Sequence, residues 1–245
     1  MRLATEPGTP ARLQRRHGSA TPLHYDRQHQ GHQARPLFPP DFMLEPRIQQ
    51  HFFESADLSY QAAETLAHPI AEAAHHIVDC ITSGGRLWVH GRGAALAPAT
   101  LLGAALCGRF ERERPGLAAW VLGTDAVTLS DAQGMADAEP PSVQQLRVLG
   151  QPGDLLVAFT LRPDDALLAT MVHAAHEREM SVIIIAGREG PPGTGQGALV
   201  HIAETDLWLT VPHDRAARIC ELQLVLLHAM CDAVDLQLLG DADLP

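Results

Sequence analysis

Glu221 is the only carboxylate between Asp214 and Asp232, in a run that is otherwise mostly apolar. A lone acid in such a place is a candidate general base. Arg218, three residues earlier, would share its helix face and offers it a second role, an ion pair. Two further stretches could meet an anion. In His90-Gly91-Arg92-Gly93-Ala94-Ala95, bare backbone N–H groups and a helix start could approach a phosphate, with Arg92 gripping it. The run lacks the third glycine of a dinucleotide fingerprint and equally suits a tight strand-to-helix turn. In Thr160-Leu161-Arg162-Pro163-Asp164-Asp165 one hydroxyl is available, Pro163 removes an amide donor, and two aspartates oppose an anion. Those aspartates suit the first turn of a helix, where carboxylates cap free amides.

Fourteen histidines raise the question of a metal. His75 and His76 are adjacent and face different sides of a helix. His173 and His176 share a face beside Glu177 but complete neither HExxH nor HxxEH, so they read as solvated. Asp214 reads as the N-cap of the last helix, with Arg215 and Arg218 on its first turns. Cysteines 80, 107, 220 and 231 form no CxxC pair and read as buried free thiols of a reducing compartment. No metal and no cofactor is expected. All 18 basic residues are arginine, which removes a Walker lysine, a Schiff base and any catalytic amine. There is no asparagine either, which removes N-glycosylation and Cys-His-Asn catalysis.

The elements that must position these residues follow from the hydropathy pattern. The chain has 245 residues, 46% of them hydrophobic and 19% charged, as a globular protein with a real core should. Its net charge of −11 argues against direct nucleic-acid binding. No stretch reads as apolar for long enough to span a bilayer. Residues 1–42 carry six prolines and six arginines with no apolar period, so they read as disordered, or as an extension ahead of a true start at Met43. Beyond them, helices are expected over 44–67 and 69–83, the second opened by Pro69. Strands are expected at 87–89, 117–122, 155–159, 182–186 and 207–211. They alternate with helices at 94–109, 164–179 and 215–239, and residues 187–197 read as a loop. Such alternation means a three-layer α/β/α fold around a five-stranded parallel sheet, with ligands bound beyond the carboxyl ends of the strands.

Several runs carry a resemblance: Arg47-Ile-Gln-Gln-His-Phe-Phe53, Gly85-Arg-Leu-Trp-Val-His-Gly-Arg-Gly93, Gly108-Arg-Phe-Glu-Arg-Glu-Arg-Pro-Gly116, Gly150-Gln-Pro-Gly-Asp-Leu-Leu156 and Val211-Pro-His-Asp-Arg-Ala-Ala-Arg-Ile219. Over residues 43–245 the chain resembles the sugar isomerase (SIS) domain family, and within it the phosphoheptose isomerases and their relative, the DnaA initiator-associating protein DiaA. The resemblance implies a single flavodoxin-like SIS domain, a cytoplasmic homotetramer, no membrane contact and sugar-phosphate pockets between subunits. It assigns ligand binding to the loop positions Gly91, Arg92, Gly93, Ala95, Thr160 and Arg162.

The motifs depart from the family where its chemistry lies. The usual Gly-Asn-Gly-Gly-Ser is Gly91-Arg92-Gly93-Ala94-Ala95 here, and the usual Ser-Thr-Ser-Gly-Asn-Ser is Thr160 to Asp165. The family's histidine and glutamate after the first loop, which also bind zinc in some members, fall on Leu101 and Ala105. Its histidine on the last helix falls on Gln223, and Glu221 alone matches. Arg162 matches an arginine of the DiaA-type loop. The expectation drawn from this is a non-catalytic, DiaA-like tetrameric scaffold whose partner is the replication initiator DnaA, with Leu238 and Leu239 as a contact patch. The alternatives are a divergent phosphoheptose isomerase acting on sedoheptulose 7-phosphate, and a sugar-phosphate sensor relying on Thr160, Arg92 and backbone amides.

Overall fold

Short runs of mostly apolar residues become strands, the central three buried almost throughout and the two edge strands only partly. They are β1 (Leu87–Gly91), β2 (Ala119–Val121), β3 (Leu155–Phe159), β4 (Ser181–Ala186) and β5 (Leu207–Thr210). In the computed structural model, which describes residues 41–125, 139–162, 164–187 and 200–241, all neighbouring strands pair in parallel in the order β2-β1-β3-β4-β5. Parallel strands need crossover helices, and these cover both faces. The helices are α1 (Asp41–Thr82), α2 (Leu96–Cys107), α3 (Pro141–Leu149), α4 (Ala166–Glu177) and α5 (Ala216–Leu239).

The period of two along each strand sorts the core into two halves. Leu87, Val89, Val157 and Ile185 point to one face and pack with buried residues of α1, α2 and α5. Trp88, Leu156, Ala158 and Ile184 point to the other and pack with α3 and α4. The expected three-layer fold is therefore present.

Several elements differ from the expectation. The two helices expected around Pro69 are one helix of 42 residues, with Pro46 and Pro69 inside it. An interior proline costs about 3 kcal/mol. Here a single buried stripe, Leu58, Ala62, Leu66, Ala73 and Ile77, runs past Pro69 without a break in phase, and its burial outweighs that cost. Helix α2 starts later than expected because Gly93–Ala95 forms a 3-10 turn first. The second strand is shorter, at Ala119–Val121, and α3 was not expected at all. Helix α5 caps at Arg215 rather than Asp214, and His213 Nδ1 accepts the Arg215 N–H at 2.9 Å.

Contrary to expectation, α5, with 24 residues, is long and apolar enough to cross a membrane by length and composition. Its packing is that of a core helix: Ile219, Leu222, Leu226, Met230 and Val234 are buried in the α1–α2–sheet half of the core. It also buries Arg218, Gln223 and Asp235, each with a polar partner.

The cysteines are all free, but only Cys80 and Cys231 are buried; Cys107 is exposed. His176 is not simply solvated, since its Nε2 lies 2.8 Å from the buried Asp206 carboxylate. Of the expected disordered segment 1–42 only Asp41 and Phe42 are described, and they open α1 instead; of the loop expected at 187–197 only Gly187 is described.

Candidate functional site

After β1 the chain crosses to β2 on one side of it, and later returns to form β3 on its other side. The carboxyl ends of β1 and β3 therefore open a crevice at the point where strand order reverses, the place where open α/β sheets bind ligands. A cavity of about 370 Å³ lies there, lined among others by His90, Arg92, Gly93, Thr160, Arg162 and Asp165.

The turn after β1 is shaped by close contact. A Cβ on Gly91 would lie 2.2 Å from the Ala95 carbonyl oxygen, so only glycine fits. Gly93 has φ +60°, the left-handed region. Ala95 is buried under this turn, so Gly91 and Ala95 shape the loop while Arg92 and Gly93 line the cavity. Arg92 is exposed; its carbonyl accepts the Ala95 N–H at 3.2 Å, but its guanidinium makes no ion pair or hydrogen bond among the described residues and is available to an anion.

The turn after β3 is largely committed to itself. Thr160 is buried, its hydroxyl donates to the Arg162 carbonyl at 2.8 Å, and it accepts the Arg162 N–H at 3.2 Å. Arg162 forms a two-pronged pair with Asp164, at 2.9 and 2.6 Å. Asp165 caps α4 by accepting the Leu167 N–H at 2.9 Å, as its position before a helix led one to expect. The cavity thus carries two arginines and two aspartates, and of the arginines Arg162 is already held by Asp164.

Among the described residues, His90 is the one histidine of the cavity wall. It is 5% exposed. Burial pushes its imidazole down to about 4, with Asp165 opposing and Arg92 adding to the shift. It is uncharged at neutral pH.

Glu221 is not in this wall. Its carboxylate takes the Ser55 hydroxyl at 3.0 Å and Arg218 Nη1 at 2.7 Å, joining α5 to α1. Arg218 also reaches the His51 carbonyl at 2.8 Å and His51 Nδ1 at 3.0 Å. The ion pair anticipated for Glu221 is present, and the side chain stays 44% exposed. Leu101 is exposed on α2, and Ala105 packs against the core while its carbonyl accepts Arg114. Gln223 is wholly buried and donates to the carbonyls of Thr160 and Ile185 at 2.9 and 3.0 Å. Leu238 packs on the core, so only Leu239 remains of the expected apolar patch. Among the described residues no cluster of His, Cys, Asp or Glu could hold a metal.

A parallel five-stranded sheet with its crevice at the β1–β3 ends defines an open, doubly wound α/β protein whose ligand site lies beyond the strand ends. The model of the SIS domain family matches residues 50–187. The phosphoheptose isomerase of Methylibium petroleiphilum is 45% identical over 203 residues, 82% of this chain and 98% of the relative. Among solved structures, the phosphoheptose isomerase of Neisseria gonorrhoeae is 34% identical with a TM-score of 0.69, covering 78% of this chain and 98% of its own. That of Francisella tularensis is 30% identical with a TM-score of 0.70, covering 78% and 97%. The chain belongs to the SIS domain family, and within it to the phosphoheptose isomerase group. The expected leaning toward a non-enzymatic, DiaA-like role finds no support in these relatives, which are named as isomerases.

Proposed function

We propose that the chain acts on a phosphorylated sugar as a divergent sugar-phosphate isomerase, with sedoheptulose 7-phosphate as the first substrate to test. The observation that carries this is the arginine-bearing cavity at the β1–β3 switch point in a chain that matches phosphoheptose isomerases along nearly their whole length. Arg92 takes the phosphate, since it is the open cation of the cavity wall. Aldose–ketose isomerisation moves a proton between adjacent carbons and needs a base with a free lone pair. Glu221 is the proposed base, because its carboxylate is half exposed and is aimed by Ser55 and Arg218.

Glu221 lies outside the cavity wall of its own chain, so this reading includes a site completed by a second copy. The exposed apolar side chains of α1, including Ile48, Phe52, Phe53 and Tyr60, support such an assembly. So does an apolar groove of about 370 Å³ between α1 and α5, lined by Ala63, Ala67, Ile70, Leu222 and Val225. A homotetramer in the cytoplasm is the proposed form.

A second reading is favoured by one observation. Leu101, Ala105 and Gln223 stand where the family resemblance places catalytic side chains, and the Gln223 amide is spent on main-chain carbonyls. On that reading the chain binds a sugar phosphate, or a protein such as the replication initiator DnaA, without turnover.

Calorimetric titration with sedoheptulose 7-phosphate, with product analysis of the same sample, separates these readings. Binding with turnover that Glu221→Gln lowers by about 100-fold or more supports the isomerase. Binding without turnover leaves a sensor. No binding by the folded chain removes both and leaves the protein-partner reading.

A further inference from the structure

His90 ends the apolar run Leu87-Trp88-Val89 and is the one ionisable side chain in β1. It follows Trp88 by two residues, so it points to the α3–α4 side of the sheet, where the cavity opens beside Asp165 and Leu168. The residue is 5% exposed and is part of the cavity wall. Its Nδ1 is closed off and has no hydrogen-bond partner among the described residues. Buried ring nitrogens are nearly always paired, and leaving one unpaired costs about 1–3 kcal/mol. A half-turn about χ2 exchanges Nδ1 with Cδ2 within the same ring footprint, so either ring edge can face the cavity.

We propose that His90 is a sugar-binding residue, whose ring hydrogen-bonds a hydroxyl or carbonyl oxygen of the ligand and not its phosphate. This rests on the reading of the cavity as a sugar-phosphate site. The chemistry separates the two ends of the ligand. A phosphate calls for a cation, and Arg92 beside the ring supplies one. A neutral imidazole has one donor and one acceptor nitrogen, which matches a hydroxyl group. The ring stays neutral because it is desolvated, an effect that outweighs the opposing pull of Asp165 and to which Arg92 adds.

The test titrates the full chain and its His90→Phe and His90→Gln variants with sedoheptulose 7-phosphate and, separately, with inorganic phosphate. The expected result is a loss of ten-fold or more in sugar-phosphate affinity in His90→Phe, partly restored in His90→Gln, with phosphate affinity within two-fold in both. Nitrogen-15 NMR of the unmutated protein is the second readout. The His90 ring nitrogens should shift with sugar phosphate and stay in place with phosphate alone. Unchanged sugar-phosphate affinity in His90→Phe, equal loss of both ligands, or ring nitrogens unmoved at saturation overturns the proposal while the cavity reading stands. If the unmutated chain binds neither probe, the cavity reading itself falls and this proposal with it.

Discussion

The side-chain amide of Gln223 on α5 donates to the main-chain carbonyl of Thr160 at the carboxyl end of β3, 2.9 Å away. The same nitrogen reaches the Ile185 carbonyl on β4 at 3.0 Å. One buried amide therefore pins α5 to the two strand ends beneath the cavity. Gln223→Leu should destabilise the chain by about 1–3 kcal/mol, because it strands the Thr160 carbonyl, while Ile185 keeps the Thr160 N–H. Urea denaturation measures this. A variant as stable as the parent would mean that the contact carries no stability.

His90 links stability to acidity. Its folded pKa, about 4, lies below the ordinary histidine value of 6.5. The unfolded chain thus binds a proton between these values that the folded chain refuses. This contribution is complete above pH 6.5 and is lost as pH falls toward 4, by up to roughly 3 kcal/mol. The His90→Gln variant should lose less stability than the parent between pH 7 and pH 5. Parallel stability curves for the two would reject this assignment.

Arg114 and Asp235 form a pair whose side chains are each 1% exposed. The arginine also donates to the carbonyls of Ala105, Leu106, Gly108 and Pro115, fastening the loop after α2 to α5. Phe110 of the same loop stacks on His228. Arg114→Met should cost about 3–5 kcal/mol, since it leaves a buried carboxylate alone. Adding Asp235→Leu to it should recover part of the loss. If the double variant is the less stable of the two, the stranded charge is not the cause.

Thiol reactivity should divide the cysteines. Burial and the nearby Asp154 push the Cys80 thiol up to about 11, and burial with Asp235 pushes Cys231 to about 12. Cys107 is exposed. Iodoacetamide at pH 8 should label Cys107 in the native chain and reach Cys80 and Cys231 only after denaturation. Mass spectrometry of the alkylated peptides checks this. Early labelling of Cys231 would show that α5 opens readily.

The central strands were legible because a parallel strand buried on both faces is an unbroken apolar run, as in Val182-Ile183-Ile184-Ile185. Asp165 was legible as a cap for an equally local reason. What escaped the sequence depended on distant contacts. Pro69 signals a helix start locally, and only a stripe buried against the sheet and α5 shows that the helix continues. Helix α3 offers only Val143 and Leu146 as buried apolar residues, too few to set a period. Thr160 looked like a free hydroxyl, but its partner, the Arg162 carbonyl, becomes one only in the folded turn. His90 could have been noticed as the one ionisable residue in an apolar strand, though not that its Nδ1 would be left without a partner.

At the amino ends of the strands, Asp154 just before β3 takes the Arg86 and Gln151 N–H groups and the Trp88 indole. Asp206, just before β5, does the same for Val182, Ala203 and His176. Both carboxylates lie at the end of the sheet opposite the cavity. The mechanical anchorage of the domain and its binding surface are thus spatially decoupled. Mutational drift at the Arg92 and Arg162 turns leaves these anchors untouched, so a lineage could rewrite or abandon its chemistry while keeping a sound scaffold.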